Sequence, residues 1–401
     1  MMNNFKTLLS SIKDDGLFKH FLNYFFSSVG LKALGLISLP IMTRLLNPEE
    51  YGILNIFGFY VIIASSLFTF NLHSSIVRYY QFKNHIFDTF FFQIIFIQSL
   101  CVIVITFLSS AYKNDLYNLL DLPANVILFF GPVIFLNVVY NWFVYYLKAK
   151  RESELYRNIV AIKQIASFIT TLLFVYLLDE HKYLGKMYSE VFVFVILIFL
   201  LFKIILPAIR IGVNLKQIKF MFKYALGLMP AIIGGAIISQ LDRVMIAKYI
   251  SMSDAGIYSL SYSVSSILTL ISGAIYNAWI PDYYKLIKEK KYLEHDKMVL
   301  SFISYLTFIC ILIMFFGDIG AQVLFSDSFT AKTILIPIIT FGVFWSKLTP
   351  AYQRHISFTN KTYWTSISFI FCALLNYFLN MILLPIYGVE AAAFTTLLTY
   401  F

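Results

Sequence analysis

Long stretches of this chain carry no charge at all: Phe90 to Ser109 and Val191 to Leu201 offer water little beyond an occasional amide or hydroxyl. A helix of that make-up satisfies its own backbone and is solvated only by hydrocarbon, which restricts the chain to a membrane-spanning helical fold. Composition agrees, since 60% of the 401 residues are hydrophobic and 13% charged, where soluble domains carry about 25% charge. The net charge of +10 would suit a nucleic-acid binder. The basic residues, however, sit in short segments between apolar runs, where topology accounts for them, so no nucleic-acid partner is expected.

Chemistry-bearing motifs are missing from the sequence. Cys101, Cys310 and Cys372 each lie alone inside an apolar run, and the six histidines show no HxxH or HExxH spacing. The residues point to no metal, no cofactor and no disulfide. There is no GxxxxGK[ST] loop and no GxSxG elbow, so neither ATP hydrolysis nor a serine hydrolase is expected. The polar start, MMNNFKTLLSSIKDD, precedes a long apolar run without a small-residue cleavage site and reads as the lead into a retained first span.

Apolar runs of about 20 residues predict eleven complete spans. They are Phe21 to Ile41, Ile53 to Leu72, Phe90 to Ser109, Val126 to Tyr146, Ile159 to Leu178, Met187 to Leu206, Tyr224 to Leu241, Gly256 to Trp279, Met298 to Phe316, Thr333 to Thr349 and Tyr363 to Leu384. A twelfth begins near Val389, and the residues to Phe401 make about 20 Å of helix where about 30 Å is needed, so it reads as truncated. Twenty basic residues fall on the side of the N-terminus and seven on the other, which predicts a cytoplasmic N-terminus. The loops on the other side are short, which argues against an enzyme with an external catalytic domain.

The chain also repeats itself. LLNPEEYGILNIF (45 to 57) and YISMSDAGIYSLSY (249 to 262) align Gly52 with Gly256 and Arg44 with Lys248 at an offset of 204, and Gly185 aligns with Gly388 at 203. An even number of spans returns the chain to its starting side. The expected fold is therefore all-α: two six-helix lobes in parallel repeat around a central cavity, with residues 1–206 as the first lobe, 207–223 as a cytoplasmic linker and 224–401 as the second.

Four segments carry a family likeness: SVGLKALGLISLPIMTRLLNPEEYGILNIF (28 to 57), IVRYY (76 to 80), SQLDRVMIAKYISMSDAGIYSLSYSVSSI (239 to 267) and PIYGVEAAAFTTLL (385 to 398). The chain resembles the polysaccharide and O-antigen flippases of the multidrug/oligosaccharidyl-lipid/polysaccharide exporter superfamily. The resemblance implies a twelve-helix transporter of the bacterial inner membrane, not an enzyme. It implies that an undecaprenyl-diphosphate-linked oligosaccharide is moved from the cytoplasmic to the periplasmic leaflet by alternating access. A proton or sodium gradient as driving force, and a polysaccharide polymerase and chain-length regulator as partners, fit the same picture.

Individual residues then acquire expected roles. Lys32 lies near the middle of span 1, where a cation costs about 2.5–3.5 kcal/mol on insertion scales, and it shares a helical face with Gly35; it is expected to meet the substrate diphosphate. Arg78, at the inner end of span 2, is a second candidate for the diphosphate or a boundary arginine. Arg44, Arg243 and Lys248 crowd the outer ends of spans 1 and 7 as an outer gate, with Asp242 beside Arg243 able to form a structural ion pair instead. Tyr258, Tyr262, Ser265, Thr269, Ser272 and Tyr276 form one stripe of hydroxyls down span 8, expected either to face glycan or to bond between helices. Gly52 and Gly256 are expected at hinges, for close helix approach or for unusual backbone angles.

Other readings remain. A drug or cation exporter would want carboxylates at the bilayer centre, and removing Lys32 would leave it working. A peptidoglycan-precursor flippase would share both fold and diphosphate. A membrane polymerase or ligase would need a large outer loop, which this sequence lacks.

Overall fold

In the computed structural model, residues 31–82, 86–205, 209–289, 291–358 and 363–400 are described. They contain no strand, and twelve long or span-forming helices follow the predicted order. These are α1 (Leu31–Leu45), α2 (Pro48–Phe68), α3 (Phe87–Ala111), α4 (Phe130–Lys150), α5 (Ser153–Leu177) and α6 (Tyr183–Ile205), then α7 (Leu215–Tyr249), α8 (Met252–Lys288), α9 (Tyr292–Leu324), α10 (Leu335–Phe358), α11 (Tyr363–Tyr387) and α12 (Val389–Tyr400). Among the described residues eight helices are long and apolar enough to cross a membrane, while α1 and α10 contribute shorter apolar stretches, Leu34–Leu45 and Leu335–Thr349. The part of predicted span 1 before Leu31 lies outside the described residues.

Local chemistry explains the helix limits. Pro48 starts α2 where its missing N–H costs nothing, and Asn47 caps it. Gly388, at φ +71°, makes the turn between α11 and α12. After Phe68 the second span breaks, with Phe70 and Asn71 at positive φ, and resumes as a short helix, Ser75–Phe82. A break of this kind leaves carbonyls without helical donors, which hydrocarbon does not forgive. Gln98 answers it: its Nε2 donates to Thr69 O at 3.0 Å, and its Oε1 accepts from Trp142 Nε1 at 2.7 Å. A polar knot thus sits where α2, α3 and α4 meet.

Helix α7 ties the two lobes together. Its 35 residues reach about 52 Å, well beyond the roughly 30 Å of hydrocarbon. It begins inside the segment read from the sequence as linker, so residues 215–223 are helical turns packed against the first lobe. Gln217 Nε2 donates to Tyr79 Oη (2.9 Å) and to Ile86 O (3.1 Å), and Gln217 also bonds Gln93. Phe220 meets Tyr79 and Phe222 meets Phe70 edge-on. The far end of α7 packs instead with α11, α8 and α2.

Candidate functional site

The two repeats touch where α2 crosses α8. A Cβ on Gly52 would stand 2.3 Å from Met252 O, and a Cβ on Gly256 would stand 1.8 Å from Pro48 O. Each glycine therefore lets a helix backbone lie directly on the other. Neither has positive φ, so close approach, not backbone freedom, is what requires glycine here. The contacts are reciprocal at the repeat offset of 204, which makes the crossing a local two-fold.

The same symmetry extends into the helix starts on either side. Asn47 Oδ1 accepts from Glu50 N (2.8 Å) while Glu50 Oε2 accepts from Asn47 N (3.2 Å). In the second repeat Ser251 Oγ accepts from Asp254 N (3.0 Å) and donates to Asp254 Oδ2 (2.8 Å). Both helices so begin with a capped first turn. Their acids also reach outward: Glu50 Oε1 accepts from Lys182 N at 2.8 Å, and Asp254 pairs with Lys332 Nζ at 2.6 Å. Phe329, beside Lys332, is buried with its ring edge-on to Tyr51 at 5.8 Å, a contact that crosses between lobes. This end of the molecule is closed.

The three residues assigned to an outer gate separate. Arg44 is exposed on a cleft of about 950 Å³ shared with Glu49, Glu50, Asp179, Glu180 and Lys182. Lys248 borders a second cleft of about 550 Å³ with Glu49 and Asp121. Arg243 is 7% exposed and lies deeper: its guanidinium sits 4.6 Å from the Tyr262 ring centroid, and Nη1 donates to Ser239 O at 2.7 Å. Nε of Arg243 has no hydrogen-bond partner among the described residues.

Asp242 does not form a direct ion pair with its neighbour. It is 1% exposed and turns into the second lobe, where Oδ2 accepts from Thr396 Oγ1 (2.6 Å) and Tyr258 Oη (3.1 Å) and Oδ1 accepts from Asn380 Nδ2 (2.8 Å). Asn380 in turn bonds Asn376 and Thr395, and Asn376 Nδ2 is buried without a partner among the described residues. A buried carboxylate is thus held by one amide and two hydroxyls, from α11, α8 and α12. From the sequence Asp242 was read only as a possible ion-pair partner of Arg243, because span 7 was ended at Leu241 and left it at the water boundary; Asn376 and Asn380, at i and i+4 on one helix face, were the available signal for its true partners.

The hydroxyl stripe needs correcting. Tyr258, Ser265 and Ser272 are buried and do not face a wet cavity. Tyr258 belongs to the Asp242 cluster, Ser265 Oγ accepts from Thr340 Oγ1 at 2.9 Å, and Ser272 donates to Thr269 O at 3.0 Å. Tyr262 Oη meets Tyr400 Oη at 3.4 Å, and Tyr276 lies near Phe302. Hydroxyls on an interior helix satisfy one another across helix contacts, and they do so with the same period that a cavity wall would show. In the first lobe, Arg78 is exposed above the Tyr224 ring at 5.4 Å. Lys163 Nζ lies 4.0 Å from the Tyr140 ring centroid and 4.8 Å from that of Phe194. Lys32 is in the described helix α1, but its side chain lies outside the described residues.

Comparison with known proteins places this geometry. The profile of the polysaccharide biosynthesis protein family matches residues 41–333. The chain is 26% identical to the capsular polysaccharide biosynthesis protein CapF of Staphylococcus aureus over 47% of this chain and 48% of that one. It is 21% identical to a probable low-salt glycan biosynthesis flippase of Haloferax volcanii over 47% of this chain and 40% of that one. The aligned stretch thus spans about half the length of either relative. In fold, the chain superposes on the inward-facing conformation of a multidrug resistance MATE family transporter of the MOP superfamily with a TM-score of 0.68, at 12% identity, over 92% of this chain and 90% of that chain.

Proposed function

Because this chain belongs to the polysaccharide biosynthesis protein family, we propose that it carries an undecaprenyl-diphosphate-linked oligosaccharide across the bacterial inner membrane, from the cytoplasmic to the periplasmic leaflet, by alternating access. The observation that carries the reading is the closed crossing of α2 on α8. Two repeats that meet backbone to backbone at one end can part there only by moving as lobes, which is the motion alternating access needs. With the N-terminus cytoplasmic, the crossing closes the periplasmic end and the state is inward-facing. Lys32 and Arg78 are the cations that would meet the diphosphate.

Coupling to an ion gradient has a natural seat at Asp242. A carboxylate sealed among α7, α8, α11 and α12 is held by three donors. If it took up a proton or sodium ion, those bonds would be rearranged and the packing of α12 with them. The group would then link ion occupancy to the shape of the second lobe.

The test is rescue of surface glycan in a bacterial strain lacking its own flippase, with the amount of membrane protein measured alongside. The wild-type chain should rescue, Lys32→Ala should fail while present in the membrane, and Lys32→Arg should retain part of the activity because the charge is kept. Full rescue by the alanine variant would end the assignment of the diphosphate to Lys32. No rescue by the wild-type chain with any lipid-linked glycan would end the transport reading.

A further inference from the structure

Residues 210–214, between α6 and α7, run without helix beside the first turns of α3 and alternate in what they touch. The even positions hold the segment to the first lobe. Arg210 Nε lies 3.5 Å from Asp88 Oδ2, a Cβ on Gly212 would stand 2.9 Å from Thr89 Cγ2, and Asn214 N donates to Gln93 Oε1 at 3.1 Å. The period of two of an extended chain turns the odd positions away, and Ile211, Val213 and Leu215 are 86%, 78% and 78% exposed. Three aliphatic side chains are thus fixed outward.

The helix that follows is two-sided. Gln217, Met221 and Ala225 are buried, while Lys216, Lys219 and Lys223 are exposed on the opposite face, within about 60° of one another at 3.6 residues per turn. No ion pair to any of the three is present among the described residues. From Val191 to Leu241 the sequence has five basic residues and no Asp or Glu, so no acid nearby in the chain answers them. Beyond Lys223 the same face continues with Leu226, 42% exposed, which marks where α7 enters hydrocarbon. The lysines therefore stand at headgroup level, at the end of α7 opposite the crossing of α2 on α8.

Water suits the lysines but not the aliphatic row, and hydrocarbon suits the reverse; the margin of a bilayer accommodates both. A soluble polyanion would meet the lysines and leave Ile211, Val213 and Leu215 in water. We propose that residues 210–223 are a docking surface for anionic phospholipid, in which Ile211, Val213 and Leu215 enter the acyl margin and Lys216, Lys219 and Lys223 hold headgroup phosphates. Each cation brought to an anionic leaflet strengthens association about fivefold, so three on one face favour anionic over zwitterionic lipid by about a hundredfold. Because α7 joins the two lobes, this surface ties the connector to the bilayer, whatever the protein carries.

Purified protein is heated in nanodiscs of phosphatidylcholine, with or without one third of it replaced by phosphatidylglycerol. Lipid that binds the folded state raises the unfolding temperature. The wild type should gain several degrees from phosphatidylglycerol. The triple variant Lys216→Gln, Lys219→Gln, Lys223→Gln should lose most of that gain and the triple variant Ile211→Ser, Val213→Ser, Leu215→Ser part of it, each unfolding within a few degrees of wild type in phosphatidylcholine alone. The triple variant Arg151→Gln, Lys291→Gln, Lys297→Gln removes as much charge from exposed positions at the same end and should keep the gain. No gain in the wild type, a gain undiminished in either the lysine or the serine variant, or an equal loss in the Arg151, Lys291 and Lys297 variant would overturn the surface. The same gain from inorganic polyphosphate in phosphatidylcholine discs would overturn lipid as its occupant. Where a variant is destabilised in phosphatidylcholine alone, the phosphatidylglycerol retained per protein, counted by native mass spectrometry, decides on the same terms.

Discussion

Glycines in this chain do different jobs, and the difference can be measured. Gly256→Ala places a methyl against Pro48 O at 1.8 Å, so the helices must separate; overpacking of this kind costs about 1–3 kcal/mol. The expected outcome is a lower unfolding temperature and new reactivity of a cysteine placed at Ala255, which is buried beside the crossing, read with a membrane-impermeant thiol reagent. Gly58 and Gly273 meet nothing within 4 Å, and alanine at either should be neutral or stabilise by up to about 1 kcal/mol through helix propensity. Asp242→Asn is the sharper residue-scale test. An amide nitrogen must now face a donor in place of one carboxylate oxygen, an unsatisfied contact worth about 1–3 kcal/mol. The variant should remain folded yet transport without dependence on the ion gradient in proteoliposomes; unchanged gradient dependence would remove Asp242 from the coupling role. Sequence reasoning could place Gly52 and Gly256 because a repeat exposes paired landmarks. It could not find the partners of Asp242, because a span limit drawn at Leu241 left that carboxylate at the water boundary, and hydropathy is blind to which way a boundary side chain turns.

Among the elements, α7 shows how one helix can belong to two lobes. Its first turns hang on Gln217, which is 3% exposed and serves Gln93, Tyr79 and Ile86 at once. Gln217→Ala strands those groups and should cost about 1–3 kcal/mol, seen as loss of thermal stability with α7's far end still packed. The stretch Leu226 to Gly235 includes Gly227, Pro230, Gly234 and Gly235, and Pro230 deprives the helix of one internal bond. Bending between the two attachments is cheapest there. The capped starts of α2 and α8 make a matched pair of predictions. Asn47→Ala and Ser251→Ala should each cost about 1 kcal/mol, and Lys332→Met should cost less, because its pair with Asp254 is partly exposed to water. The hydroxyl stripe on α8 was legible as a pattern but not as a function, since a helix seam and a cavity wall share the 3.6-residue period.

At the scale of the whole molecule the all-α membrane fold was readable because hydrocarbon permits so few backbone solutions, whereas which lobe held which polar site was not, since that depends on helix rotation. Orientation is open to direct measurement: a single cysteine at Lys113 should react with an impermeant reagent in intact cells, and one at Lys288 should not. Reaction at Lys288 alone would invert the molecule. The crossing of α2 on α8 also has the form of an isologous contact, in which each surface meets a copy of itself. Were the halves separate subunits, one mutation beside that axis would strike both sides of the contact at once, and any residue larger than glycine would be penalised twice. Fused in one chain, the copies vary independently. Around the crossing they have done so, with Asn47 against Ser251, Pro48 against Met252, Glu50 against Asp254 and Tyr51 against Ala255. They still agree at Ile53 and Ile257, and at Gly52 and Gly256, where main chain rests on main chain and a substitution in one copy has no room that the other could supply.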